Sequence, residues 1–373
     1  MRPNTTRRGF LAAAGVSAAL PAALPAALPA ASPAPAGGKP LAPLTPGIKI
    51  SLQTSHQLPD DELIWARQMG IEWLNVGGGV QPPSADNYKA IVKKAAGAGL
   101  KVWNISNGSV HNMPEVTLNL PGRDAKVEEY KQFLRNLGAA GLTYTTYAHM
   151  GNGIWSSERE TTRGGAPARA FHQSTAKGYW AGKVFEGPLS HGRRYTKEEL
   201  WENYTYFIRQ VVPVAEEAGI RIGIHPDDPP VPELGGVPRN IFGNFDGYMK
   251  ALEIANSPNV GVCLCCGTWM EGGKFMGRDV FEAAREFQKL GKLWKIHFRN
   301  VTGPIPDFVE TYVDDGYTDM KKLMRTLVEI DFRGNLIADH VPEMKGGRMA
   351  GWSYSLGYIR ALYDMARTER GRR

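Results

Sequence analysis

From residue 48 onward the chain alternates between two kinds of segment. Short apolar runs recur at 48–53, 71–77, 101–106, 142–149, 220–226, 260–266, 293–300 and 334–340. Runs of this length, rich in β-branched and aromatic residues, read as buried strands. Between them lie stretches such as "DELIWARQMG", "YKAIVKKAAGAG", "VEEYKQFLRNLGAAG" and "MKKLMRTLVEI", where apolar residues repeat at helical spacing. Several close on a glycine just ahead of the next strand, which marks a helix C-cap. Eight strands, each followed by a helix, predict one (β/α)8 TIM barrel over 39–373. The competing arrangement, an open doubly wound sheet, needs a glycine-rich phosphate turn after its first strand. "LQTSHQLPDD" offers none, and "VGGGV" at 76–80 lacks the GxGxxG spacing, so it reads as a turn.

One interval is far longer than the rest. Residues 150–195 follow the fourth strand and are rich in glycine, arginine and aromatics. A segment of that length at the exit of a barrel strand is expected to act as a lid over the site. Trp155, Arg163, Arg169, Trp180 and His191 are its candidate contacts.

Residues 1–38 break the pattern. "TTRRGFL" precedes an Ala/Leu/Pro run without a single acid, which predicts a twin-arginine (Tat) signal and a low-complexity linker, cleaved between about Ala31 and Gly38. The expectation is a periplasmic or secreted protein that meets the Tat export machinery. Pro21, Pro25 and Pro29 interrupt the apolar run, and no cysteine near it can carry a lipid, so no stable membrane anchor is expected. Loss of Arg2, Arg7 and Arg8 lowers the formal charge from +7 to about +4, and "RTERGRR" reads as a frayed end. No basic stripe suits nucleic acid. The balance is compatible with a small anionic substrate and leaves a homo-oligomer open. Cys263, Cys265 and Cys266 lie within four positions, too close to staple distant segments and open to metal binding.

The stretch "GIHPDDPP" (223–230) runs from apolar strand into a histidine, two acids and three prolines. Proline cannot continue a central strand, so His225 stands at the end of the fifth strand. Cys265 ends the sixth, His297 the seventh and Asp339 the eighth. Barrel enzymes draw their chemistry from these C-terminal ends, and two imidazoles, a thiolate and a carboxylate suit a divalent transition metal. Taken singly, each is also a common core or capping residue; their joint placement carries the inference. Lys295, His297 and Arg299 share one strand face, which puts Arg299 at the rim. Cys263 shares a face with Cys265 one layer deeper, in the core, and Cys266 faces away.

"HPDDPP" (225–230), "LCCGTW" (264–269), "HFRNV" (297–301) and "ADHVP" (338–342) resemble, in order, the motif series of the mannonate dehydratase family, over about residues 196–360. The resemblance implies a (β/α)8 barrel that binds Mn²⁺ or Fe²⁺ and dehydrates D-mannonate to 2-keto-3-deoxygluconate. It places the metal ligands on His225, Cys265, His297 and Asp339 and an active-site histidine on His340. It matches Tyr354 in "GWSYSLGY" to the family's tyrosine, and Arg299 and Asn300 to its polar pair, expected to bind substrate. Asp228 is expected to orient a ligand or the substrate, or else to cap the proline turn. Cys265-Cys266-Gly267-Thr268 stands where the family has Cys-Thr-Gly-Ser, Ala338-Asp339-His340 stands for its Pro-Asp-His, and "SLQTSHQLPDD" replaces its Arg-Trp-Tyr-Gly start.

Dehydration of a sugar acid takes a proton from beside a carboxylate, and a divalent metal offsets the charge that develops there. A base takes the C2 proton and an acid protonates the departing C3 hydroxyl; His340 and Tyr354 are the candidates, in either order. Two other readings stay open. One is a metal-dependent sugar isomerase or epimerase, whose metal shells are usually richer in carboxylate. The other is a non-enzymatic periplasmic sugar-acid binder, which has no need of a thiolate ligand.

Overall fold

The computed structural model describes residues 40–239 and 241–372; the expected export signal and linker lie outside the described residues. Eight strands form one sheet: β1 (Lys49–Thr54), β2 (Trp73–Val76), β3 (Lys101–Ile105), β4 (Tyr144–Tyr147), β5 (Arg221–Ile224), β6 (Val260–Cys265), β7 (Leu293–His297) and β8 (Asn335–Ile337). The ladders between them are parallel. Their order, 3-2-1-8-7-6-5-4, leaves a single seam between β3 and β4. There the two strands come into contact, and Trp103 meets Tyr144 with ring centroids 5.9 Å apart. The sheet is thus the expected (β/α)8 barrel, nearly closed.

The outer ring comprises α1 (Asp60–Gln68), α2 (Ala85–Gly97), α3 (Arg123–Ala139), α4 (Lys197–Ala218), α5 (Phe245–Ala255), α6 (Val280–Lys289), α7 (Met320–Glu329) and α8 (Arg348–Gly371). Alternation along the strands decides the layers. Leu52, Leu74, Ile105, Ile222 and Ile224 join helix residues such as Leu63, Tyr88 and Val127 in the main core. Helix ends follow local chemistry: Thr196 and Glu199 form a capping box at the start of α4, and Gly219 ends it with φ 71°. The tail read as frayed is instead the last turns of α8, whose inner face carries Ile359, Leu362 and Ala366 into the core.

The long segment after β4 holds six short strands. Ile154–Ser156, Lys177–Trp180 and Lys183–Phe185 make a three-stranded antiparallel sheet. Ala170–His172 pairs with Asp307–Thr311, which also pairs with Asn300–Val301 just beyond β7. The cover is therefore stitched to the barrel's exit rather than hanging from its two ends, and His172 adds a contact to Asp307 at 2.9 Å. Among the described residues no helix is long and apolar enough to cross a membrane.

Candidate active site and metal centre

β5 ends at Ile224, and His225, whose N–H still donates to the Tyr147 carbonyl at 2.8 Å, stands next at the barrel mouth. Its Nδ1 lies 2.8 Å from the Pro226 carbonyl; a carbonyl only accepts, so Nδ1 carries the hydrogen and Nε2 keeps its lone pair. Cys265 closes β6, and its Sγ accepts the Thr268 N–H at 3.4 Å. His297 closes β7 beside Cys265 in register. One ligand atom from each of His225, Cys265 and His297 lies within 4.8 Å of the others.

The fourth expected ligand, Asp339, follows β8 at φ 65°, a left-handed backbone that side chains rarely adopt. Its Oδ1 lies 3.2 Å from His297 Nδ1 and its Oδ2 3.9 Å from Cys265 Sγ. His297 Nδ1 is buried and makes no aligned hydrogen bond. Desolvation, the dominant effect, lowers His297 to about 3 and lowers His225 as well, so both imidazoles are neutral, as ligands must be. Burial pushes the Cys265 thiol up; a nearby cation would offset that cost. Two nitrogens and a sulfur gathered at one buried point, with the Asp339 carboxylate beside two of the three, fit a divalent transition ion.

Arg299 lies just past β7 and is 1% exposed. Its Nε donates to Asp339 Oδ2 at 3.1 Å, Nη1 to Glu271 Oε1 at 2.6 Å, and Nη2 to Asp228 Oδ2 at 3.0 Å and Thr268 Oγ1 at 3.0 Å. Glu310 lies 3.2 Å from Nη1. A Cβ on Gly267 would collide with this side chain, so the glycine of "CCGT" makes room for it. Arg169, delivered by the cover, reaches Asp228 Oδ1 at 2.7 Å and Glu310 Oε1 at 3.0 Å. Four carboxylates thus share two guanidinium groups. Arg299 and Asn300, expected to bind substrate, do not line the cavity. The Arg299 donors are taken by protein, and the Asn300 amide donates to the Thr318 carbonyl at 2.9 Å.

The mouth holds a cavity of about 370 Å³, walled by His225, Asp228, His297, Asp339 and His340 among others. Trp180 of the cover also lines it, whereas Trp155 is buried in the core, Arg163 pairs with Asp314 and His191 stacks on Phe185. His340 Nδ1 is held by Glu310 at 2.8 Å. Desolvation opposes its charging, but Glu310 and Asp339 outweigh it and raise His340 to about 9. Burial likewise opposes ionisation of Asp228, yet Arg169 and Arg299 hold it well below the usual carboxylate range. Tyr354 stands apart: α8 places its hydroxyl 2.6 Å from Asp314, to which it donates, and it is not among the residues lining the cavity.

Several residues at the site escape sequence reasoning. His111 lines the cavity with Nδ1 bound to the Thr146 carbonyl at 3.1 Å, and nothing in "SVHNM" marks it. Glu310 shares a strand face with apolar Phe308, a pattern that signals a buried acid. A larger hollow of about 990 Å³ opens at the other end of the barrel, beside Lys49, Lys101 and Arg367. It contains none of the expected site residues, and chemistry in this fold belongs to the C-terminal mouth.

Neutral imidazoles, a thiol and a carboxylate gathered at that mouth define a barrel enzyme with a metal-type centre. Residues 183–368 match a model of the D-mannonate dehydratase (UxuA) family. A mannonate dehydratase of Streptococcus suis (strain 05ZYH33) is 30% identical over 297 residues, covering 74% of this chain and 79% of that protein. The crystal structure of mannonate dehydratase from Streptococcus suis serotype 2 superposes with a TM-score of 0.75 at 25% identity, covering 88% of this chain and 95% of that one. An L-ribulose 3-epimerase structure superposes with a TM-score of 0.55 at 13% identity, covering 87% of this chain and 97% of that one, a likeness of fold alone. The chain belongs to the mannonate dehydratase family and is a hydro-lyase.

Proposed function

We propose that this protein removes water from a six-carbon sugar acid, D-mannonate first among them, to give the 2-keto-3-deoxy acid. The observation that carries the reading is the gathering of His225, Cys265 and His297 within 4.8 Å of one another, with His340 on the wall of the same cavity. In this reading His225, Cys265, His297 and Asp339 hold one divalent ion, Mn²⁺ or Fe²⁺. When bound, such an ion draws charge from the substrate's carboxylate and neighbouring hydroxyl and eases loss of the C2 proton. His340, protonated at neutral pH and fixed through Glu310, is suited to give its proton to the departing C3 hydroxyl. Asp228 is locked between two arginines and serves to position Arg299 rather than to move protons. Tyr354, whose hydroxyl donates to Asp314 away from the cavity, is given no proton-transfer role in this reading. The test is product analysis with metal-loaded protein and D-mannonate: formation of a 2-keto-3-deoxy acid is expected. A ketose or an epimer as product, or binding without turnover, sinks the dehydratase reading.

The same protein is proposed to act outside the cytoplasm, on the strength of Arg7-Arg8 ahead of an acid-free Ala/Leu/Pro run. Changing both arginines to lysine should strand folded protein in the cytoplasm, as measured by fractionation. Undiminished export of the double variant would count against a twin-arginine route.

A further inference from the structure

Across the mouth from Cys265 and His297 the barrel carries a row of amides, whose first member lies on β1, next to the strand β8 that leads into Asp339. Gln53 on β1 stands opposite Asn75 on β2 in the ladder, and Asn75 stands opposite Asn104 on β3. All three line the cavity. Gln53 Oε1, Asn75 Oδ1 and Asn104 Oδ1 are buried and have no hydrogen-bond partner. A buried amide oxygen without a partner is destabilising, so three in one row point to a ligand that satisfies them.

The row is built. Asn335 Nδ2 donates to the Lys49 carbonyl at 2.9 Å, which turns its Oδ1 toward Asn75 Nδ2 at 2.8 Å. Asn75 Oδ1 is therefore the atom left for the cavity. A register shift between β2 and β3 breaks the alternation, so that Asn104 lines the cavity while Trp103, the residue before it, packs on Trp73 and Tyr144. In an eight-stranded ring β2 and β3 face β6 and β7, which bear Cys265 and His297. A substrate whose carboxylate end is held at those residues extends its other end toward the amides.

The chemistry of the row selects the ligand. Side-chain amides are uncharged, accept through oxygen and donate through nitrogen, a match for hydroxyl groups, which do both. Lys295, also on the wall and 3.5 Å from Thr146 Oγ1, supplies a donor. We propose that Gln53, Asn75 and Asn104 form the subsite that reads the hydroxyls at the end of the sugar-acid chain remote from its carboxylate. This rests on the sugar-acid reading above. The row lies outside residues 183–368, where the family model matches.

The test compares a long and a short ligand on metal-loaded protein. D-Mannonate spans both halves of the cavity, whereas D-glycerate carries only the carboxylate and the first two hydroxyls. Gln53→Met and Asn104→Leu remove acceptors at little change of volume, and Gln53, the more accessible of the two, keeps the test alive should Asn104→Leu fold poorly. Binding is read from the change in tryptophan fluorescence on rapid mixing, ahead of turnover. The dissociation constant for D-mannonate should rise about tenfold per variant and about a hundredfold in the double variant, while that for D-glycerate and the metal content stay as in wild type. An equal rise for both ligands overturns the proposal, because the amides are then structural. No change for either overturns it too, since the row then holds water only. Wild-type protein that binds D-mannonate without dehydrating it removes the proposed reaction but leaves this comparison decisive for the amides.

Discussion

Serine in place of Cys265 should yield protein that purifies with little bound metal and correspondingly little turnover. The substitution keeps size and polarity but exchanges a soft thiolate for a hydroxyl that does not ionise at neutral pH. Loss of a group that merely orients a ligand typically costs 10–100-fold in metal affinity, so loss of a ligand should cost at least about 100-fold. The three cysteines provide internal comparisons that the structure ranks. Cys266 packs in the main core and its sulfur lies 4.0 Å from the Leu264 carbonyl, so Cys266→Ser should keep wild-type metal at some cost in stability. Cys263, taken from sequence as a core residue, is buried but lies 3.4 Å from His297 Nε2; its serine variant should fall between the other two. Metal analysis of the four proteins purified side by side decides the matter. Full metal and full turnover in Cys265→Ser would remove the proposed centre.

That ranking shows where sequence reasoning reaches and where it stops. The strands were legible because each is a short apolar run between helical repeats, and His225, Cys265, His297 and Asp339 because each ends such a run. Position along a strand also put Lys295 and His297 on one interior face, as found. The partners of Arg299 were not legible. Glu271 lies in the short helix after β6, Glu310 in an added strand, and Arg169 in the cover; only tertiary packing brings them to one guanidinium. Tyr354 was matched by motif, but the rotation of α8 turns its hydroxyl to Asp314. The amide row depends on a register shift that strict alternation cannot anticipate.

Replacing Arg299 by methionine should be among the most damaging single changes in this chain. The side chain bonds Asp339, Glu271 and Asp228 and lies 3.2 Å from Glu310, all at low exposure. Removing one partner of a buried ion pair costs about 3–5 kcal/mol, because the remaining charge is left in a low dielectric. Here four carboxylates lose one of their two guanidinium partners, so a loss at the upper end of that range is expected in urea unfolding. Metal content should fall as well, since Asp339 loses the donor that fixes it. Lysine at the same position keeps the charge but cannot serve four acceptors in one plane, and should recover only part of the loss.

Two further measurements separate unpaired charge from lost packing. Adding Glu310→Gln to Arg299→Met removes one of the stranded carboxylates and should restore part of the stability, a positive coupling that a packing defect does not give. The gap between wild type and Arg299→Met should also narrow in acid. Burial opposes ionisation of Glu310, but His340 and Arg299 outweigh it and lower the group to about 2. A depressed carboxyl contributes stability that is fully present above its unfolded value of about 4.3 and is lost as pH falls toward 2. Wild type therefore weakens through that window, while the variant's carboxylates, deprived of arginine, take up protons and shed their penalty. A pH-independent gap of several kcal/mol would assign the effect to packing, and an unfolding midpoint equal to wild type would show that Arg299 does not hold the cluster together.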